Sequence, residues 1–396
     1  MNANIRIPGS KSITHRALVI AALAQGRSLL KGPLFCEDTV YTLHALQELG
    51  IRISADRKNT SVSGTGGNFH PARGIKEIFL GNSGTSYRLL LSMLGLAQGD
   101  FILSGSPRMR KRPVGELVRA LNNLGVEAIC TGRDGFPPVF IKAKCFHGGK
   151  VEMAGNRSSQ YVSSILLTSP YTEKGVEIEV TGNLVSRPYV DITIEVMKAF
   201  GISADRDGYR YFRVSAPQIY QSCQFNIEGD VSTASYFWAA AAVTGGTVVT
   251  KNIYPNTTKQ GDIAFLDIME EMGCHIHRER DRIVVQGRML CGLEVDMRDM
   301  PDMVPTLAAI ALFAKGKTVI RNVPHLRHKE SDRLQAITFE WRRIGGKVEE
   351  RPDGLIIHGE RPLKGTVVDT HEDHRMAMSL AVVGLGIPGI RIKNEE

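Results

Sequence analysis

Six stretches of this chain are apolar on every face of a helix, and a fold must bury each of them whole. The first opens at Pro8 to Arg16, P-G-S-K-S-I-T-H-R, continues through Ala17 to Ala24 and stops at Gly26. The second, from Gly81 to Gly99, opens on G-N-S-G-T-S-Y-R, and its Arg88 to Gly99 run copies Arg16 to Gly26 with one residue more. Ser158-Ser159-Gln160 opens the third, Asp230 to Thr233 the fourth, Asp302 the fifth and His374-Arg375 the sixth. After each comes a short β-rich run, such as Phe101 to Ser104 or Thr247 to Lys251. In five of the six, a loop then leads to an amphipathic helix ending at Gly50, Gly125, Gly201, Gly273 or Gly345, intervals of about 72 to 76 residues. Alternating runs such as Lys347 to Glu350 with Leu355 to His358 follow as hairpin strands. The chain therefore reads as six αβαββ units in an α/β fold, with helices rather than strands as the interior. Three units make about one large domain, so six make two, with a boundary near Ser222 to Glu228 and a ligand cleft between them. On the same spacing, about twenty residues of loop and helix would follow Glu396 if the sixth unit matched its siblings.

A helix without a polar face can act only at its mouth. There the first-turn N–H groups lack partners and carry the positive end of the helix dipole, so Lys11, Ser12 and Arg16 at such a mouth predict an anion site, with phosphate the expected ligand. The formal charge of +8 across 396 residues is compatible with nucleic acid, an anionic membrane surface or small anionic substrates. Aromatic residues make up only 7% and do not alternate with the basic ones, which argues against base stacking and for small phosphorylated substrates without nucleic-acid partners. No stretch approaches bilayer length and Met1 to Ile7 is too short and polar for a signal peptide, so the expected compartment is the cytoplasm. Six widely spaced cysteines without a C-x-x-C read as neutral fillers, not as metal or disulfide sites.

Three loops carry more charge than a solvated surface needs. Ser106 to Gly115 packs four cations into five positions, and it occupies the same connection as Ser186-Arg187-Pro188-Tyr189 and Arg327 to Arg333 in later units. In Pro324 to Leu334, P-H-L-R-H-K-E-S-D-R-L, a helix starting near His328 would stand Lys329 and Arg333 one turn apart as a two-pronged anion grip. Glu330 there and Asp302 at the fifth mouth are the carboxylates that proton transfer on an anionic substrate would need. His371 and His374 lie three apart, but no H-E-x-x-H or cysteine cluster accompanies them, so no metal is expected.

These motifs taken together resemble the 5-enolpyruvylshikimate-3-phosphate synthase family. The resemblance runs from Ile5 to about Lys393 on G-S-K-S-x-x-x-R (Gly9 to Arg16), L-G-N-S-G-T (Leu80 to Thr85), R-P-x-G-x-L-V (Arg112 to Val118), S-S-Q (Ser158 to Gln160), V-S-R-P-Y-x-D-I-T (Val185 to Thr193), K-E-S-D-R-L (Lys329 to Leu334) and D-H-R-M-A-M (Asp373 to Met378). It implies a two-domain inside-out α/β barrel, three repeats per domain around buried parallel helices. Residues 1–9 and 228–396 would form one domain, with the sixth repeat incomplete, and residues 10–227 the other. It further implies a monomeric enzyme without cofactor or metal that transfers the enolpyruvyl group of phosphoenolpyruvate to shikimate 3-phosphate. Shikimate 3-phosphate would be held by Lys11, Ser12, Arg16, Ser158, Ser159, Gln160, Ser186, Tyr189, Asp302 and Lys329. Phosphoenolpyruvate would be held by Lys11, Asn82, Gly84, Arg108, Gln160, Arg333 and Arg375, with Asp302 as base and Glu330, with Lys11, as acid. His325 stands where relatives often have an Asn on the shikimate phosphate, and the loop past the sixth strand, where relatives carry a substrate-binding Lys, would lie beyond Glu396. Two other readings compete: UDP-N-acetylglucosamine enolpyruvyl transferase, whose family has K-N where this chain has Lys11-Ser12, and a non-catalytic ligand-binding remnant.

Overall fold

The computed structural model describes residues 2–56, 58–69 and 75–394. The chain divides into two compact units, Gly9–Ile227 and Met1–Pro8 with Glu228–Glu396.

In Gly9–Ile227 the helices are α1 (Lys11–Leu23), α2 (Glu37–Glu48), α3 (Gly84–Leu94), α4 (Gly115–Asn123), α5 (Ser159–Thr168) and α6 (Pro188–Ala199). The odd-numbered three are the apolar ones, and α1 is buried without interruption from Ile13 to Leu23. The even-numbered three bury one stripe each, in α4 through Leu117, Val118, Ala120 and Leu121, and this stripe closes over the apolar helices. Three four-stranded sheets complete the cover with one repeated order. Gly99–Ser104, for example, runs parallel to Ile75–Phe79 and antiparallel to Val139–Ala143, which pairs in turn with Glu127–Cys130. Their side chains alternate between core and solvent, as Val176, Ile178 and Val180 do on Val176–Thr181. The sheet of the first repeat takes its parallel strand, Gln224–Asn226, from the far end of the unit.

The second unit repeats this plan with α7 (Val231–Thr244), α8 (Phe265–Glu271), α9 (Val304–Ala311), α10 (Arg333–Arg343) and α11 (His374–Gly386). Here the chain's first strand, Asn2–Arg6, supplies the parallel partner of Thr247–Lys251, which is why eight N-terminal residues belong with a body that otherwise begins at Glu228. Close approach of sheet to buried helix explains a glycine in three repeats. A Cβ on Gly64 would stand 2.2 Å from the Ala24 carbonyl oxygen, one on Gly287 2.0 Å from that of Ala241 and one on Gly359 1.8 Å from that of Ala314. No side chain fits between the hairpin strand and those carbonyls. The sixth apolar helix is only partly buried: α11 buries Met376, Leu380 and Val383 but exposes Met378, Ala381 and Leu385. Beside it lies a two-stranded sheet, Val367–Asp369 with Arg391–Lys393, and among the described residues no outer helix covers that flank. No helix among the described residues is long and apolar enough to cross a membrane.

Candidate functional site

The mouths of the apolar helices collect the unit's buried polar groups. In Gly9–Ile227, Ser10 occupies the N-cap of α1 but its side chain makes no capping bond, and its hydroxyl is buried without a partner. Lys11 reaches across to α2, placing Nζ 2.9 Å from Asp38 Oδ2. Arg16, expected at the mouth, is folded inward and is 1% exposed. Its guanidinium donates to Thr193 Oγ1 at 2.7 Å, to the Ser12 carbonyl at 2.9 Å, to the Tyr189 carbonyl at 3.1 Å and to Ser163 Oγ at 3.3 Å. It thereby straps α1 to α5 and α6 with neutral acceptors, and burial lowers its pKa to about 10. Arg88, its counterpart on α3, donates to Gln160 Oε1 at 2.6 Å, and Gln160 Nε2 donates to Thr85 Oγ1 at 2.9 Å. Ser158 caps α5, its hydroxyl accepting from the Gln160 N–H at 3.3 Å, and Ser159 is buried beside it. Ser186, also buried, holds a left-handed backbone at φ 54°, an uncommon conformation for a serine and one that sets the start of α6 with Tyr189 in its first turn.

Within the basic loop Arg112 turns inward. Met109–Lys111 forms a 3₁₀ turn with Arg108 at its start, and Arg112, four residues on, is 3% exposed and donates to the Asn82 carbonyl at 2.6 Å. Its guanidinium lies over Gly84 so closely that a Cβ there would come within 2.4 Å of it. The glycine of L-G-N-S-G-T thus admits a cation to the mouth of α3, and that cation is Arg112.

In the other unit, the mouths of α9, α10 and α11 share one ionic cluster. Asp302 lies in a 3₁₀ turn before α9 and meets three cations: Arg333 at 2.8 Å, Arg375 at 2.8 Å and Lys329 at 3.7 Å. Arg333 is 1% exposed and also pairs with Glu330 at 2.7 Å and with Asp373 at 2.9 Å. Burial works against its charge, but Asp373, Glu330 and Asp302 outweigh it and hold the guanidinium protonated. Asp373 caps α11 through the Arg375 N–H at 2.9 Å and accepts from Ser331 Oγ at 3.0 Å. Lys329 and Arg333 do not share a helical turn as their spacing suggested. Pro324–His328 is a 3₁₀ segment, Lys329 is extended, and α10 starts only at Arg333 because Asp332 caps it by accepting from the Gln335 N–H at 3.1 Å. The two cations still converge, on Asp302 rather than along a helix. His371 Nε2 lies 2.9 Å from Glu340 Oε1, and no group among the described residues has the makings of a metal site.

Two buried groups at these mouths have unsatisfied atoms and opposite pH signatures. His325 is 8% exposed with both ring nitrogens unpartnered. Burial first, and then the charge of Lys329, lower its pKa to about 3 although Asp302 opposes them. Asp262 accepts from Ser232 on one oxygen and leaves the other unpartnered. Burial and then the Asp302 charge push its pKa up to about 7. Between about pH 3 and 6.5 the unfolded chain binds a proton at His325 that the native protein refuses, so stability is lost on acidification through that window. His325→Asn should therefore lose less thermal stability than wild type between pH 7 and pH 5, and an equal loss in both would mean that the ring is charged when buried. Asp262 has the reverse sign: the native protein keeps a proton that the unfolded chain releases above about pH 4, so stability falls as pH rises toward 7. Asp262→Asn should gain melting temperature over wild type at pH 8 relative to pH 5, and a pH-independent difference would show the carboxyl ionised throughout.

Arg112, Asp38, Asp262 and Tyr236, whose hydroxyl accepts from Arg375 at 3.5 Å, are mouth residues that sequence reasoning did not single out for a role. For Arg112 the signal was its place in R-P-x-G; for the others no local pattern marked them. The sequence model of the family described as EPSP synthase (3-phosphoshikimate 1-carboxyvinyltransferase) matches residues 1–396. The chain is 41% identical to a 3-phosphoshikimate 1-carboxyvinyltransferase of Sulfurovum sp. (strain NBC37-1), covering 100% of this chain and 93% of that one. It is 43% identical to the protein of the same name from Trichormus variabilis, covering 100% and 92%. Among solved structures, an EPSP synthase from Acinetobacter baumannii is similar with a TM-score of 0.82 at 28% identity, covering 100% of this chain and 92% of that one.

Proposed function

The chain belongs to the EPSP synthase family, and from that premise we propose how its residues divide the work of moving the enolpyruvyl group of phosphoenolpyruvate to the 5-hydroxyl of shikimate 3-phosphate, with release of phosphate, in the shikimate route to chorismate and aromatic amino acids. Both alternatives, the UDP-N-acetylglucosamine enolpyruvyl transferase and the non-catalytic remnant, lack support beside a family match over residues 1–396.

The observation that carries the assignment is Asp302, a carboxylate set among Arg333, Arg375 and Lys329 with Glu330 on the far side of Arg333. Its oxygens are occupied by guanidinium protons. Incoming phosphate and carboxylate groups compete for those same cations, and an Asp302 oxygen released in the exchange can take the proton of the 5-hydroxyl as the hydroxyl oxygen attacks the enol carbon. Glu330, with Lys11, delivers a proton to the methylene, giving a tetrahedral intermediate; the new methyl group then returns a proton to that pair as the C=C bond re-forms and the C–O bond to phosphate breaks, the phosphate leaving with the proton held by Asp302. Lys11, Ser12, Ser158, Ser159, Gln160, Ser186, Tyr189, Asp302 and Lys329 hold shikimate 3-phosphate, and Arg16 positions Ser12 and Tyr189 of this set through their carbonyls. Phosphoenolpyruvate is held by Lys11, Asn82, Gly84, Arg108, Gln160, Arg333 and Arg375, with Arg112 adding a cation at Gly84. His325, neutral and with two open nitrogens, adds a donor for the shikimate phosphate. Phosphate release from phosphoenolpyruvate, measured with shikimate 3-phosphate and with UDP-N-acetylglucosamine as acceptor, tests the reading. Release with the first acceptor alone is expected; release with the second, or with neither, overturns it.

A further inference from the structure

Outside these mouths, the loop from Lys144 to Gly148 in Gly9–Ile227 holds three side chains in an order that has chemical meaning. His147 Nδ1 lies 2.8 Å from Glu173 Oε2, and His147 Nε2 lies 3.4 Å from Cys145 Sγ. A carboxylate on Nδ1 accepts its proton and fixes the tautomer, leaving the Nε2 lone pair facing the thiol. The main chain of this loop is held in place from several sides. The Lys174 N–H donates to the His147 carbonyl at 3.0 Å, the Glu173 N–H to the Phe146 carbonyl at 3.2 Å and the Gly148 N–H to the Leu124 carbonyl at 3.0 Å. Phe146 is 4% exposed and anchors the loop in the core. Gly125, left-handed at φ +98°, gives the ring its seat, since a Cβ there would stand 2.5 Å from His147 Cδ2. The cluster is open to solvent, with the His147 and Glu173 side chains 50% and 58% exposed.

The other cysteines differ. Burial raises the thiol pKa of Cys130 and Cys223, and that of Cys274 to about 11, which disfavours their thiolates. Cys291 is exposed, and Cys36 shares a contact only with Thr39 among the interactions of its side chain described at 3.7 Å. We infer that Cys145, with His147 as base and Glu173 as its orienting carboxylate, is a reactive thiol that exchanges with low-molecular-weight disulfides to carry a mixed disulfide. The proton moves from Sγ to Nε2, the thiolate attacks one sulfur of the disulfide, a new S–S bond forms as the old one breaks, and the departing thiolate takes the proton back from His147. One protein thiol is oxidised and one half of the disulfide is reduced, so no further reactant is needed. None of the residues assigned above to substrate binding or proton transfer belongs to this loop, and the site stands whether or not that assignment does.

The test is the rate at which oxidised glutathione modifies each cysteine of the full chain at pH 7, read by peptide mass mapping with exposed Cys291 as internal reference. Cys145 should react at least about tenfold faster than Cys291, and His147→Gln and Glu173→Gln should each bring it down toward the Cys291 rate while leaving Cys291 and the melting temperature unchanged. Equal rates for Cys145 and Cys291 in wild type, or a Cys145 rate indifferent to both substitutions, would overturn the inference.

Discussion

Replacing Asp302 by asparagine is expected to cut turnover at least about a hundredfold while shikimate 3-phosphate binds as tightly as before or more tightly. Asparagine keeps the size of the side chain but cannot accept the hydroxyl proton. The affinity half of the prediction comes from the charges around it. Asp302 is shared by Arg333 and Arg375 at 2.8 Å each and by Lys329 at 3.7 Å, so it neutralises cations that an anionic ligand would otherwise meet in full. Removing its charge leaves Arg333 still paired with Asp373 and Glu330, which keeps the buried guanidinium satisfied and the fold intact. Calorimetry of shikimate 3-phosphate binding beside a phosphate-release assay separates the two effects. Affinity and turnover falling together by similar factors would reduce Asp302 to a positioning residue and leave the proton transfer without its base.

How far the sequence could anticipate this depends on the kind of order involved. The apolar helices were legible because burial on all sides writes itself into consecutive residues, as in α1 from Ile13 to Leu23. Their mouths were legible because polar residues abut such runs, which is how Asp302, Lys11 and Gln160 were marked. What a loop does with several equivalent residues was not. Four cations in Arg108 to Arg112 look alike in sequence, and only the 3₁₀ turn over Met109–Lys111 decides that Arg112 turns inward onto Gly84. The Lys329 and Arg333 spacing fits a helical turn equally well, and the capping strength of Asp332 overrides it. Arg16 was placed on the right helix but given the wrong direction, because its acceptors, Ser163, Tyr189 and Thr193, come from helices far along the chain. Cys145 and Glu173 are likewise joined only by the fold, through His147.

Lys11→Ala is expected to lower turnover at least about a thousandfold, a loss of roughly 4 kcal/mol of transition-state stabilisation, with the fold retained. The magnitude follows from its place at the first mouth, where the α1 N–H groups and the Lys11 ammonium stand together for an anionic substrate and no second lysine stands in the helix. Lys11 also pairs with Asp38 at 2.9 Å, and the side chains are 18% and 24% exposed, so the substitution touches stability as well. A partly exposed pair of that kind contributes about 1 kcal/mol or less, far below the catalytic loss. The two roles can be told apart with Lys11→Ala/Asp38→Asn, which removes the carboxylate charge left without its ammonium. That double variant should recover whatever melting temperature Lys11→Ala loses and recover none of its turnover. A single-variant loss within about tenfold, equivalent to about 1.4 kcal/mol, would show that Lys11 does not act on the reacting groups. Turnover returning with the melting temperature in the double variant would show instead that Lys11 acts only by neutralising Asp38.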